Sequence, residues 1–460
     1  MNIHTQAAPL TPRRYIGYGL GDFAFNFYWL PLQYFILKYY TDVLGLPGST
    51  AGLIILTGLV WDGLIDPAIG VIANKTRSRW GRYRPYMLFG CVPLAASFTL
   101  LFLPVPFKDT SLIVYAFATQ LLFRSLYAAV NIPYGAMMAS MTRDSMERNW
   151  LAGVRMFFAY TGGSIVGYAT PRLVEQFAGS QGAYSYFVST ALLSSCAIVV
   201  TLVSFAMTEE RIEDAAVKNG EAEFPSLPAM LKMIAANRPF LQVMAAIALF
   251  SFANVAVTTT LPYFIQYYMG LDQATISNAS GMIPFAQMLS ILPWTIASKY
   301  LGKRWAWIAG LVIAVGGLST LYAIDKPSTT TVYVLLSVFS VGAGAIAVNF
   351  WSMVPDTVEY GEWRSGVRAE GFIFGFVTLI QKVALGLASA FVGGYLSYVG
   401  YVANQTQSAE TLHGIKLLVT VIACAALVAS CVVIYFYRLN VATHSQIVRE
   451  IAERPAAKPA

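Results

Sequence analysis

Long apolar runs separated by short polar breaks fill this chain from end to end. A helix needs about 20 apolar residues to cross a bilayer, and on that measure twelve spans are read at 15–40, 50–74, 85–106, 111–139, 150–176, 184–207, 239–268, 273–299, 304–324, 330–355, 369–399 and 412–438. One break is different from the others. Residues 208–238 open with TEERIEDAAVKNGEAEFPSLP, a charged stretch with two prolines, which reads as a linker. It divides the chain into six-helix halves at 1–207 and 239–438, followed by a tail at 439–460. Prolines within spans (Pro31, Pro93, Pro262, Pro284, Pro293) do not count against the helices, because neighbouring groups satisfy the freed backbone in a membrane bundle.

Composition agrees with the pattern. The 460 residues are 57% hydrophobic and 12% charged, against about 25% charged in soluble domains. The net charge of +7 would suit nucleic acid if it were clustered on a soluble face. Instead most Lys and Arg fall in the N-terminus, in every second loop and in the tail, while the opposite loops hold Asp42, Lys108, Asp109, Asp272, Asp325, Lys326 and Glu410. That asymmetry places both termini and the linker in the cytoplasm. The expectation is therefore a multi-pass protein of a cell membrane, plasma or bacterial inner, with the lipid bilayer as partner and no nucleic acid. The first dozen residues are polar and show no cleavable signal. Cys91, Cys196, Cys424 and Cys431 all lie in apolar segments, so neither a disulfide framework nor a zinc site is expected. No nucleophile motif, metal cluster or phosphate loop is present, which argues against an enzyme and against a cofactor. Twelve spans need no second copy to build a site, so a monomer is expected.

Charges at membrane depth carry the functional signal, since each costs about 2.5–3.5 kcal/mol on insertion scales. In VWDGLIDPAIGVIANKTRSRWGRYRP (Val60 to Pro85), Asp62 and Asp66 stand four residues apart, on one helical face, before the basic run Lys75, Arg77, Arg79, Arg82 and Arg84. Their partner is either a cation or proton, or basic residues on neighbouring helices. Span 1 carries Asp22, Asn26, Trp29 and Gln33 in one stripe. Carboxylate and amide groups around an aromatic ring suit a sugar, whose hydroxyls bond the former and whose C–H face packs on the latter; a polar helix–helix seam is the plainer reading. Span 4 adds Gln120, Arg124, Tyr127 and Asn131, span 5 adds Arg155, and span 11 adds Thr378, Gln381 and Lys382. Three acids and three bases at this depth can pair with one another, and exchange of partners would be a route to coupling. Asn254, Thr258, Thr259, Asn349 and Trp351 are weaker signals, of the kind that interhelical packing explains. Asp356, Glu359, Glu362, Arg364 and Arg368 follow span 10 on the cytoplasmic side, where they either pair with the basic loop after span 2 or are solvated.

W-D-x-x-x-D-P-x-x-G followed by T-R-S-R-W-G-R-Y-R-P, together with YGLGDFAFN, YYTDVLGL, NIPYGAM and PDTVEYGEWRSGVRAEG, resembles the melibiose-permease type of the glycoside–pentoside–hexuronide cation symporters, within the major facilitator superfamily. The resemblance runs over nearly the whole chain. It implies an all-α polytopic membrane fold of twelve transmembrane helices in two pseudo-symmetric halves, as the 6+6 layout also does. It further implies a sugar site including Asp22, Arg155, Lys382 and Thr378, and a cation site at Asp62 and Asp66.

The sequence departs from the melibiose permease where Asn131 replaces a second sugar-binding aspartate, Gly135 a tryptophan, Ile65 a cation-site asparagine and Ala128 a cation-site threonine. Melibiose is therefore not the expected substrate. Losing two neutral oxygens disfavours sodium, a hard ion that wants several, and leaves a carboxylate pair able to hold a proton. Asp62 and Asp66 remain the metal ligands if sodium is used.

The function expected is uptake of a glycoside, pentoside or hexuronide with a proton or sodium ion by alternating access, with Asp22, Asn26, Trp29, Arg124, Asn131, Arg155, Thr378 and Lys382 facing the sugar. Asp22 against Arg124, Arg155 and Lys382 suits an anionic sugar, unless Arg124 pairs with a span 2 carboxylate instead. Two other functions fit the outline less well. A lipid carrier would want a wide apolar slot, which the span 1 stripe opposes, and a non-transporting sugar sensor would want a soluble effector larger than the short tails.

Overall fold

The computed structural model describes residues 9–142, 144–181, 184–211, 227–365, 370–439 and 441–453. Every expected span is a helix. Spans 1 to 6 are α1 (Pro12–Lys38), α2 (Gly48–Lys75), α3 (Arg84–Leu101), α4 (Asp109–Met141), α5 (Ser145–Gln181) and α6 (Ser185–Met207). A short helix, α7 (Leu227–Ala236), lies within the stretch read as linker. Spans 7 to 12 are α8 (Arg238–Tyr263), α9 (Gln273–Leu301), α10 (Lys303–Ala323), α11 (Thr329–Ser365), α12 (Glu370–Tyr398) and the pair α13 (Ala409–Leu417) and α14 (Ala423–Tyr435); α15 (Val441–Ala452) lies in the tail. No strand occurs among the described residues. Among the described residues, three π turns interrupt the regular pitch: Tyr39–Val43 continues α1, Phe264–Tyr268 continues α8, and Leu418–Ile422 joins α13 to α14.

Nine helices among the described residues are long and apolar enough to cross a membrane on length and hydropathy alone. The spans on α1, α5 and α9 fall outside that set. The first two carry Asp22 and Arg155, and α9 is rich in Ser, Asn and Gln at its start. Their polarity is what a helix lining an internal polar surface requires.

The helices group into two compact units. Unit 1 comprises Met1–Glu221, Thr258–Met288 and Ser389–Lys416; unit 2 comprises Ala222–Val257, Leu289–Ala388 and Leu417–Ala460. Within unit 1, α1 packs on α5 and α6, α2 on α4, and α3 on α4 and α6. Within unit 2, α10 packs on α11 and α14, and α11 on α15.

On the cytoplasmic side, the basic loop after α2 is organised around Glu210. Its carboxylate accepts the backbone N–H groups of Arg82, Tyr83 and Arg84 at 2.9, 2.7 and 2.9 Å. The turn needs Gly81 in the left-handed region at φ 104°, which costs glycine little. The acids after span 10 find partners inside unit 2. Helix α11 continues past residue 355 to Ser365, so Asp356, Glu359, Glu362 and Arg364 are helical. Lys303 donates to Asp356 at 2.7 Å, and His444 of α15 pairs with Glu359. Arg368 lies outside the described residues.

Candidate functional site

Helix α1 is buried on nearly every face. From Ala24 to Lys38 the half-buried positions are Asn26, Trp29 and Gln33, and Asp22 is half-buried one turn earlier. The polar stripe is therefore the accessible face of the helix, as a lining surface requires and a sealed seam does not. Asn26 donates to the Asp22 carbonyl at 2.9 Å, and Gln33 donates to Thr258 at 3.4 Å.

At the start of the stripe, Asp22 is held by Arg155 of α5. Arg155 Nε donates to Asp22 Oδ2 and Nη2 donates to Oδ1 at 3.2 Å, a forked geometry that fixes both planes. The Asp22 and Arg155 side chains keep 15% and 27% of their surface open, so the pair can still bond a ligand. Two tyrosines not expected from the sequence complete the group. Tyr134 Oη donates to Asp22 Oδ2 at 2.7 Å. The rings of Tyr18 and Tyr134 stack 4.9 Å apart, and the Arg155 guanidinium carbon lies 5.5 and 5.3 Å from their centroids, within cation–π range. The fit depends on Gly21, where a Cβ would stand 2.2 Å from the Tyr134 ring. A signal was present: Tyr134 stands one turn after Asn131, and both tyrosines lie in the quoted motifs.

The acid pair of α2 is deeper. Asp62 is fully buried and Asp66 nearly so, and Arg124 of α4, also buried, stands with Nη1 3.6 Å from Asp62 Oδ2. Of the two pairings the sequence left open for Arg124, the structure shows the one with the span 2 carboxylate. Arg124 keeps one link to the stripe, since its guanidinium lies 5.9 Å from the Trp29 ring centroid. Tyr127, one turn on from Arg124, has its ring 6.4 Å from that of Trp29. Trp29 and Tyr127 thus stand between the two charged groups. Ala128, fully buried beside them, contributes no oxygen.

Asn131 is half-buried on α4, three residues before Tyr134. Thr378 and Lys382 are half-buried one turn apart on α12, in the part assigned to unit 2, and the Thr378 hydroxyl donates to the Gly375 carbonyl at 2.8 Å.

Comparison with known proteins identifies the family. A model of the family described as MFS/sugar transport protein matches residues 17–441. The isoprimeverose transporter of Lactiplantibacillus pentosus is 30% identical over 446 residues, covering 95% of this chain and 90% of the relative. The glucuronide carrier protein homolog of Escherichia coli (strain K12) is 27% identical, covering 97% and 96%. Among solved structures, one from a study of substrate recognition in proton dependent oligopeptide transporters superposes with a TM-score of 0.66 at 13% identity, covering 96% of this chain and 100% of that one; it shares the fold. With its twelve-span all-α frame and a match running nearly end to end, the chain belongs to the MFS/sugar transport protein family of the major facilitator superfamily.

Proposed function

We propose how this cation-coupled sugar symporter of the bacterial inner membrane uses its charged groups: Asp22, Arg155 and Tyr134 hold the sugar, and the Asp62–Asp66 pair takes up a proton. The observation that carries the proposal is the Asp22–Arg155 fork at the start of the accessible polar stripe of α1. Paired sugar hydroxyls bridge a carboxylate and a guanidinium well, and Trp29, two turns along the stripe, offers a ring for the C–H face. Tyr134 orders the carboxylate from behind. Asn26 and Asn131 supply neutral contacts.

The substrate we favour is a hexuronide. Arg155 keeps 27% of its side-chain surface open beside Asp22, so its guanidinium can also bond a uronate carboxylate. Thr378 and Lys382 enter this scheme from the family resemblance. The glucuronide carrier protein homolog among the relatives fits an anionic sugar.

For coupling, Asp62 and Asp66 stand one turn apart on α2, and a close carboxylate pair takes up a proton because repulsion raises the proton affinity of one of them. Sodium would want several oxygens, and Ile65 and Ala128 offer none. Trp29, in contact range of Arg124 on one side and belonging to the sugar stripe on the other, is the channel through which occupancy of one site is felt at the other.

Uptake into proteoliposomes of a glucuronide and of a matched neutral glucoside, under an imposed pH gradient or an imposed sodium gradient, tests the scheme. Proton-driven glucuronide accumulation, abolished by Asp22→Asn, is expected. Sodium-driven uptake would overturn the proton assignment, preference for the neutral glycoside would overturn the uronide, and full activity of Asp22→Asn would overturn the site.

A further inference from the structure

A second buried charge cluster lies about 30 Å along α1 from Asp22, at 1.5 Å per residue, where α1 passes into its π turn. Lys38 and Asp42 form an ion pair with side chains only 5% and 7% exposed. Asp42 Oδ1 accepts the hydroxyls of Thr41 at 2.8 Å and Tyr401 at 2.6 Å, and Oδ2 accepts that of Tyr267 at 2.9 Å. Asn404 donates to the Asp42 carbonyl at 2.7 Å. The Lys38 ammonium lies 5.0 and 4.9 Å from the ring centroids of Tyr263 and Tyr267, and Tyr401 packs edge-on against both rings. All of these residues belong to unit 1, and they come from three separate stretches of chain.

The backbones close in around the cluster. A Cβ on Gly393 of α12 would stand 2.1 Å from the Gly48 carbonyl oxygen of α2, and one on Gly167 of α5 would stand 2.4 Å from the Ser280 carbonyl oxygen of α9. The Ser49 N–H donates to Ser397 Oγ at 2.9 Å. The outer ends of α1, α2 and α5 therefore lie flush against those of α8, α9 and α12. The charge bias of the loops puts this side of the protein away from the cytoplasm.

We infer that the Asp42 cluster is the outer latch of the transport cycle, holding the non-cytoplasmic ends of these helices together and parting each time the transporter opens outward. The inference rests on membership of a family that works by alternating access, and not on the assignment of the sugar site. The layout suits repeated opening. Lys38 and Asp42 sit one turn apart on the same element, so the ion pair moves as a neutral unit and no unlike charges are pulled apart. What breaks is the set of bonds from Tyr267, Tyr401 and Asn404, which water can replace. Burial, and after it the Asp42 carboxylate, push the Tyr401 hydroxyl far above the usual tyrosine range, so it remains a donor at every physiological pH.

The test uses a background with Cys91, Cys196, Cys424 and Cys431 replaced by Ala, and Thr259→Cys as reporter, a buried position beneath the latch whose hydroxyl donates to the Gln33 carbonyl. A membrane-impermeant maleimide is applied from the outer side. Tyr401→Phe keeps the ring contacts and removes one charge-assisted bond, so labelling should be about tenfold faster; Asp42→Asn should do the same. Ser49→Cys with Ser397→Cys, once oxidised, should suppress labelling of the peptide that carries position 259, read by mass spectrometry, and reduction should restore it. Unchanged labelling in Tyr401→Phe, or a cross-linked protein that labels as fast as its reduced form, would overturn the latch.

Discussion

Tyr134→Phe removes one oxygen and leaves the ring in its stack on Tyr18 and against Gly21. Asp22 Oδ2, at 2.7 Å, then loses a hydroxyl whose one proton it shares with the Tyr18 carbonyl at 2.5 Å, but keeps both bonds from Arg155. A hydrogen bond to a charged group contributes about 1.5–3 kcal/mol net. Asp22 is 15% open to solvent, and water can replace part of the lost bond, so the lower end applies. About 1.5 kcal/mol is roughly tenfold in affinity. Initial rates of glucuronide uptake over a range of concentrations should therefore show KM raised about tenfold with the maximal rate within about a factor of two. A KM unchanged from the wild type would show that Tyr134 does not order the carboxylate, and the positioning role would be lost. A collapse of the maximal rate with KM preserved would refute it equally, since that would put the hydroxyl in the conformational step.

Three further outcomes follow from the same geometry. Gly21→Ala places a methyl 2.2 Å from the buried Tyr134 ring, and overpacking of that kind costs about 1–3 kcal/mol, visible as a lower melting temperature of the detergent-solubilised protein. Asp62→Asn leaves Arg124 without its carboxylate in a buried setting, for which about 3–5 kcal/mol is the usual loss; adding Arg124→Gln should recover much of the stability without restoring gradient-driven accumulation, as thermal melts and uptake assays would show. Asp272 caps α9, accepting the Thr275 hydroxyl at 2.8 Å and its N–H at 3.0 Å, and these bonds hold its carboxyl below the ordinary 3.8. A lowered folded-state value means that its contribution is complete above the ordinary value and lost as pH falls through the folded one, so the melting-temperature gap between the wild type and Asp272→Ala should be flat at neutral pH and close on strong acidification.

The spans were legible because a length of apolar residues is a local property, and even α1 and α5 could be read despite their charges. The stripe on α1 was legible too, since helical spacing fixes which residues share a face. What spacing cannot give is the rotation of one helix against another. Arg124 and Arg155 look alike in sequence, yet one turns to Asp62 and the other to Asp22. Lys38 and Asp42 show the i,i+4 spacing of an ion pair, but Asp42 read as a loop residue because its tyrosine donors lie more than 200 residues away. The acids of α11 stand out in sequence as a charged group after span 10, while their partners Lys303 and His444 depend on packing within unit 2. α7 was hidden in a stretch whose charges and prolines spoke for a linker.

Asp42 and Tyr267, which bond one another across the latch, each sit in a π turn. A π turn holds one residue more than an α turn, so the side chains beyond it are offset by about 100° from where an unbroken α-helix would aim them. An unbroken α-helical pitch through either segment would keep its backbone hydrogen bonds and re-aim the side chains beyond it. Passing from one pitch to the other would swing the carboxylate and the hydroxyl apart by rotation about the helix axes, and a pathway could be uncovered at one end of the bundle while the middle of each helix stayed where it was.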